Sequence, residues 1–382
     1  MAKKKIEEIL ESPQSKKLAA IQKACAVLQA KFGKESVNFL GNNKVEPIPR
    51  IPTGSIALDR ITGGGYPLGR IIEIFGQSSS GKTSLCYHAI AEAQKIFLDG
   101  WCGFVDSEHT FDPEYAGNIG VNVAELMTAQ PDSGTDAFAM VQGMIEAGAK
   151  LIVVDSVAAM VPREEMEEED YGKNSIGLQA RMMSKGLRKL ASIAGKYKCV
   201  IIFTNQTRNK IGVMYGNPEV TTGGKALEYY ASIRLRIAQS GKIEETVDGE
   251  KVVKAIESKI TTVKNKCYAP YKSCVNVIEF GKGIDNDAGI LDLAIAAGFI
   301  IKKGGWYSIN GSNVAQGMVN LKIYLENNPE LYAEIKEKTK EYSANEIKKS
   351  EVVNESIDAD GMTDDEIANS ISESDDTESG EI

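Results

Sequence analysis

Arg70-Ile-Ile-Glu-Ile-Phe-Gly76-Gln-Ser-Ser-Ser-Gly-Lys82-Thr83 decides how the rest of the chain is read. The apolar run Ile71 to Phe75 reads as a strand. It leads without a gap into the pattern G-x-x-x-x-G-K-[ST], and an apolar helical pattern at Leu85, Ala89, Ile90 and Ala93 follows. Gly76 and Gly81 let the backbone wrap a polyanion with its N–H groups turned inward, and the helix starting near Lys82 presents its positive end to the same point. Gln77, Ser78, Ser79, Ser80 and Ser84 complete the cradle. Lys82 is spaced to reach the β and γ phosphates, and the Thr83 hydroxyl to ligate Mg²⁺. The stretch specifies a nucleoside-triphosphate-binding fold without saying which one.

Three further apolar runs, Trp101 to Val105, Leu151 to Val154 and Val200 to Phe203, alternate with helical segments. Continuous β-branched runs of this kind predict a mostly parallel central sheet covered by helices on both faces, an α/β fold. The runs end in Asp106-Ser-Glu108, Asp155-Ser156 and Thr204-Asn205-Gln206, and polar residues at the carboxyl ends of parallel strands converge on one crevice. Asp155 has the position of the acidic residue that holds Mg²⁺ through water. Glu108, on a strand expected beside that of the phosphate loop, is the candidate to orient and deprotonate an attacking water. Gln206 is neutral and suits reporting the γ-phosphate. The segment from Thr207 to Lys225 reads as a long loop with Arg208, Lys210, Ile211, Gly223 and Gly224, a combination of cations, insertable apolar side chains and flexible backbone that suits single-stranded nucleic acid.

At 382 residues, 42% of them hydrophobic, the chain can form one large domain with appendages or two domains. No run approaches the roughly 18 apolar residues of a membrane span, and the basic start Met1-Ala-Lys-Lys-Lys5 leads into Ile-Glu-Glu, so a cytoplasmic protein is expected. Cysteines 25, 86, 102, 199, 267 and 274 form no C-x-x-C pair and read as reduced thiols. His88 reads as structural, while His109, beside Glu108, is a candidate for support of the site. Residues 351–382 carry twelve acids and no Lys or Arg, so the net charge of −9 leaves +3 on the rest. A mildly basic body with an acidic tail fits a nucleic-acid binder, and a solubilising tail fits equally.

Leu18, Ile21, Cys25, Leu28 and Phe32 recur at helical spacing over 15–32, ending at Gly33. The Pro/Gly-containing segment 41–54 reads as a linker. Segments 231–238 and 258–263 have strand character. From Gly283 to about Tyr342 a small α+β lobe is expected, with a helix at Ile290 to Ala297, a strand at Trp306 to Ile309 and a helix from Val314 broken near Pro329. The expected organisation is 1–40 as an N-terminal helical arm, 41–282 as the core, 283–345 as the lobe, and 346–382 as a disordered acidic tail.

With Asp106-Ser-Glu-His109, Asp112-Pro-Glu-Tyr115, Val153-Val-Asp-Ser-Val-Ala-Ala159, Ala180-Arg-Met-Met-Ser184 and Asn205-Gln-Thr-Arg-Asn-Lys-Ile-Gly-Val-Met-Tyr-Gly-Asn-Pro-Glu219, the chain resembles the bacterial RecA recombinases, in order from about Lys17 to Tyr342. The resemblance implies a RecA-type core and an ATP-dependent, self-assembled helical filament on single-stranded DNA. Such a filament pairs with a homologous double-stranded DNA and exchanges strands in repair and recombination. It further implies ATP between protomers, with Asp112 and Tyr115 around adenine and ribose, and Lys264 and Lys266 reaching across the interface to the γ-phosphate. Arg181, Arg188 and the loop around Ile211 would contact DNA. The helix carrying Leu18, Ile21 and Leu28 would dock on the next protomer, Tyr229 would lie in that interface, and the lobe would capture duplex. A role as co-effector of a self-cleaving repressor in the SOS response to DNA damage is implied as well. Six acids between Pro162 and Ser175, the polar Thr207 and Asn209, Gln77-Ser-Ser-Ser in the phosphate loop and Tyr229 mark a divergent member, consistent with a phage-encoded one. A filament that uses ATP only as an assembly switch, and a ring-forming helicase on the same fold, are the alternative readings.

Overall fold

The computed structural model describes residues 13–34, 36–37, 48–167, 177–209, 219–247 and 249–359. The chain divides into two units at Pro49. The first contains α1 (Pro13–Phe32), which Gly33 closes in the left-handed region at φ 99°, its N–H donating to the Gln29 carbonyl at 2.9 Å. Leu18, Ile21, Leu28 and Phe32 are exposed on it.

The second unit opens with β1 (Arg50–Ile51), α2 (Ile56–Thr62) and β2 (Tyr66–Pro67), with β1 and β2 antiparallel. The expected linker therefore does not extend to 50–54: Ile51 is fully buried and pairs with Tyr66, and 41–47 lie outside the described residues. There follow β3 (Ile71–Gly76), α3 (Lys82–Ile96), β4 (Cys102–Asp106), α4 (Pro113–Ile119), β5 (Leu126–Ala129), α5 (Gly134–Glu146) and β6 (Leu151–Asp155). Next come α6 (Arg163–Met166), α7 (Leu178–Tyr197), β7 (Val200–Asn209), β8 (Glu219–Thr221), α8 (Ala226–Tyr230), β9 (Ile233–Val247), β10 (Glu250–Asn265), β11 (Ser273–Glu279) and β12 (Gly283–Ile284).

Strands β3 to β12 form one sheet in the order β12-β11-β10-β9-β3-β7-β6-β4-β5, with β8 paired to the far end of β7. From β9 to β5 every pairing is parallel, whereas β10, β11 and β12 extend it antiparallel. Because successive strand residues face opposite sides, Ile72, Ile74, Phe104, Val153 and Ile202 pack with α3 on one face. Ile71, Val105, Ile152, Val154 and Phe203 pack with α5 and α7 on the other. Burial on both faces explains why the strands read as uninterrupted apolar runs.

The lobe holds α9 (Asn286–Ala296), an antiparallel sheet of β13 (Ile301–Lys303), β14 (Trp306–Ile309) and β15 (Ser312–Gln316), then α10 (Met318–Glu326) and α11 (Pro329–Ala359). Three expectations are corrected here. Gly283 and Ile284 belong to the main sheet, paired with Glu279 and Ile278. Val314 lies in a strand, because Ser312 to Gln316 zips against β14, and Pro329 starts a helix rather than breaking one. Residues 346–359 continue α11, a stretch without Gly or Pro, so the expected tail is helical that far and 360–382 lie outside the described residues. Among the described residues no helix is long and apolar enough to cross a membrane.

Candidate active site

At the carboxyl end of β3 the chain turns through Gln77 to Gly81 into α3. Ser79 (φ 57°) and Gly81 (φ 99°) supply the left-handed backbone that folds the loop into a cup. Gly76 is demanded by the sheet itself: a Cβ there would stand 2.0 Å from the Ile237 carbonyl oxygen of β9. Lys82 lies over the cup, its Nζ donating to the Gln77 carbonyl at 2.7 Å and the Gly76 carbonyl at 3.2 Å. From below, Ser258 of β10 donates to the Ser80 carbonyl at 2.8 Å.

Beside β3 in the sheet, β7 brings Gln206 level with Gly76. On β6, Asp155 accepts hydrogen bonds from Thr83 Oγ1 at 2.7 Å and Thr204 Oγ1 at 2.5 Å. Burial raises the Asp155 pKa, which the two hydroxyls and Lys82 partly offset and Glu108 reinforces. Burial likewise lowers the Lys82 pKa, against Asp155 and Glu108. A buried carboxylate whose charge is unfavourable, next to a hydroxyl oxygen, is chemically suited to a small hard cation.

Glu108 follows β4, which does not neighbour the phosphate-loop strand: β7 and β6 stand between. The side chain reaches the crevice because Asp106, buried at the end of β4, folds the following turn back by accepting from Thr110 N (3.1 Å) and Phe111 N (3.0 Å). Glu108 Oε1 then accepts from Gln206 Nε2 at 3.1 Å and from the Ser156 hydroxyl. Asp112 caps α4 by accepting from Tyr115 N at 3.0 Å, and Tyr115 Oη meets Ser84 Oγ at 2.7 Å. A cavity of about 420 Å³ gathers Ser78, Lys82, Thr83, Glu108, Asp112, Tyr115, Asp155 and Gln206, and adds Ile256, Ile278 and Phe280 from β10 and the end of β11. His109 is exposed and does not line it.

Lys264 and Lys266 are not at this cavity. Ser258 touches the phosphate loop, and Lys264 lies six residues further along β10, roughly 20 Å at the rise of a strand. There Lys264 Nζ donates to the carbonyls of Glu228 (2.5 Å) and Tyr229 (3.1 Å), and its pKa is lowered by burial, Lys266 and Arg234. Tyr229 is 66% exposed beside it.

On the other side of the sheet, Arg181 and Arg188 are exposed on α7, and Arg188 Nε donates to Tyr230 Oη at 3.4 Å. Gly223 and Gly224 pack so closely that Cβ atoms on them would meet Val157 at 2.9 Å and Ala180 at 3.0 Å. The expected loop is shorter than 207–225: Thr207 to Asn209 pair antiparallel with Glu219 to Thr221, carrying an exposed Arg208 outward. Lys210 and Ile211 lie outside the described residues, as do 168–176 of the acidic segment.

A parallel sheet with a phosphate loop at its centre, a buried carboxylate two strands away that meets the loop's threonine, and a glutamate held by Gln206 defines an ATPase of the phosphate-loop class. Residues 19–285 match the RecA N-terminal domain and 288–344 the RecA C-terminal domain. The chain is 45% identical to Protein RecA of Desulforapulum autotrophicum over 84% of its own length and 91% of the relative's. It is 45% identical to Protein RecA of Thermotoga maritima (88% and 96%) and 46% identical to that of Streptomyces coelicolor (84% and 85%). The chain belongs to the RecA family, and is a DNA-dependent ATPase and recombinase of DNA repair and recombination that binds DNA and forms filaments.

Proposed function

We propose that this recombinase hydrolyses ATP with Mg²⁺ at a site completed by a second copy of the chain, and that the bound triphosphate orders its single-stranded DNA loop. Lys82 and the backbone of residues 76–81 hold the phosphates, Thr83 and Asp155 hold the cation, Tyr115 and Phe280 flank the base, and Asp112 borders the ribose. Held there by Thr83 and Asp155, Mg²⁺ would supply Lewis-acid neutralisation of the phosphate oxygens. Glu108 positions the lytic water and takes its proton. Lys264 and Lys266 neutralise the γ-phosphate of the neighbouring protomer's nucleotide, acting as fingers in trans; their separation from their own phosphate loop supports this assignment.

The observation that carries the reading is the hydrogen bond between Gln206 Nε2 and Glu108 Oε1. Gln206 is both the partner of the proposed base and a residue of β7, the strand that runs on through Asn209 into the DNA loop, so water activation and DNA binding are joined along one strand. Arg181, Arg188, Arg208, Lys210, Ile211 and the glycines at 223 and 224 contact single-stranded DNA, the lobe receives duplex, and α1 docks on the next protomer. The same filament serves as co-effector of repressor self-cleavage, in the cytoplasm. In Glu108→Gln, DNA-stimulated hydrolysis should fall by about 10²-fold, with ATP and single-stranded DNA binding kept. Turnover near the parent's would remove Glu108 from catalysis.

A further inference from the structure

Glu73 stands in the middle of β3 with no exposure to solvent, in a strand whose other residues are apolar. A carboxylate there is costly unless each oxygen is satisfied. Oε1 accepts from Asn205 Nδ2 at 3.0 Å, and Oε2 from Arg234 Nε at 2.5 Å. The three residues come from adjacent strands, with Glu73 level with Arg234 in β9 and Phe203 in β7.

Each partner reaches onward. Asn205 Nδ2 also donates to the Thr222 carbonyl at 3.0 Å, where the DNA loop re-enters the core, and Asn205 Oδ1 accepts from the Gln206 N–H at 2.9 Å. Arg234, with an 11% exposed side chain, lies over the Phe75 ring at 4.7 Å and pairs with Glu228 at 3.4 Å on α8. Glu228 and Tyr229 in turn offer their carbonyls to Lys264, which sits opposite Arg234 in the β9–β10 register. One unbroken chain of contacts therefore joins Gln206, the loop exit and the lysine edge. For folding alone, apolar side chains of similar volume serve a buried site as well as an ion pair does.

We propose that Glu73 and Arg234 are positioning residues that hold Gln206, Thr222 and the Lys264 edge in one buried frame, so that a triphosphate met by Gln206 sets both the DNA loop and the lysines offered to the next protomer. The inference rests on the roles given above to Gln206 and Lys264. Neither Glu73 nor Arg234 touches the nucleotide cavity.

The test uses the full-length chain carrying Arg234→Lys, Glu73→Gln, or the neutral pair Glu73→Leu with Arg234→Met. For each, the readouts are thermal midpoint, binding of a non-hydrolysable ATP analogue by isolated subunits, and DNA-stimulated kcat and KM. The last is the ratio of single-stranded DNA affinities with the analogue and with ADP. The expected result in folded variants is analogue binding within threefold of the parent. The affinity ratio should be at least tenfold smaller, and kcat should be lowered at unchanged KM. A ratio and kcat within threefold of the parent in any folded variant would overturn the proposal, since the pair would then be structural only. Lys264→Ala is measured alongside. Parent-like turnover there, with a collapsed ratio in the pair variants, removes the trans role of Lys264 and leaves the frame standing. The reverse pattern removes the frame alone.

Discussion

Acidifying the protein from pH 7 to pH 5 should cost about 2 kcal/mol of folding stability through His88 alone. His88 lies on α3, and its Nε2 accepts the N–H of Ile284 at 2.8 Å, tying the helix behind the phosphate loop to β12, from which the lobe departs. Accepting at Nε2 requires a neutral ring with its proton on Nδ1. Burial pushes the pKa from 6.5 down to about 4, with Glu92 opposing the shift. The sign follows directly. Above pH 6.5 the ring is neutral in both folded and unfolded chains and its contribution is fully present. As pH falls, the unfolded chain takes up a proton near 6.5 and the folded one only near 4, so stability is lost across that window. The whole gap is worth about 3 kcal/mol, of which about 2 is lost by pH 5. Urea unfolding of the parent and of His88→Gln at both pH values, without nucleotide or DNA, isolates the effect, because every carboxylate is common to the two proteins. The parent should lose about 2 kcal/mol more than the variant. Equal losses would refute the reasoning, as would an imidazole nitrogen spectrum showing a charged His88 at pH 5.5 in a His109→Asn background, where it is the remaining histidine.

Gly76→Ala should lower stability by at least about 3 kcal/mol even without nucleotide, since the clash is with the β9 backbone rather than with a phosphate; a chemical denaturation midpoint equal to the parent's would contradict this. Deleting residues 351–382 should tighten duplex DNA binding and lower the Mg²⁺ needed for strand exchange, because twelve acids compete with phosphates for a body of net charge +3. That difference should fade as salt rises and screening shortens to about 8 Å. Equal duplex affinity of the truncated and full-length chains at low salt would make the tail a solubilising appendage.

The parallel strands were legible because they are buried on both faces, which leaves apolar runs with a polar residue at each end. Their order was not: nothing in Trp101 to Asp106 tells that β4 lies three places from β3, and the route by which Glu108 returns depends on the two N–H groups held by Asp106. The β9–β10 hairpin was legible only in its inner halves, since residues 242–254 are mostly exposed on both faces and lose the alternation that marks a strand. Phe280, Ile278 and Ile256 went unread as lining residues because they enter from antiparallel strands far along the chain, with no motif of their own. Glu73 was passed over for the opposite reason: one charge in an apolar run does not disturb the run. The helical continuation through Ala359 hid within a composition of Ser and acids.

A site shared between protomers is tested most directly by mixing two variants, each expected to be inactive alone. Lys82→Ala removes the lysine of the phosphate loop, and Lys264→Ala with Lys266→Ala removes the lysines proposed to reach the neighbour. Combined in equal amounts on single-stranded DNA, they should regain up to about a quarter of the parent's ATP hydrolysis, because one in four head-to-tail interfaces joins an intact loop to intact lysines. Co-assembly of the two variants with no hydrolysis above that of either alone would contradict the account, as would full activity of the lysine variant by itself.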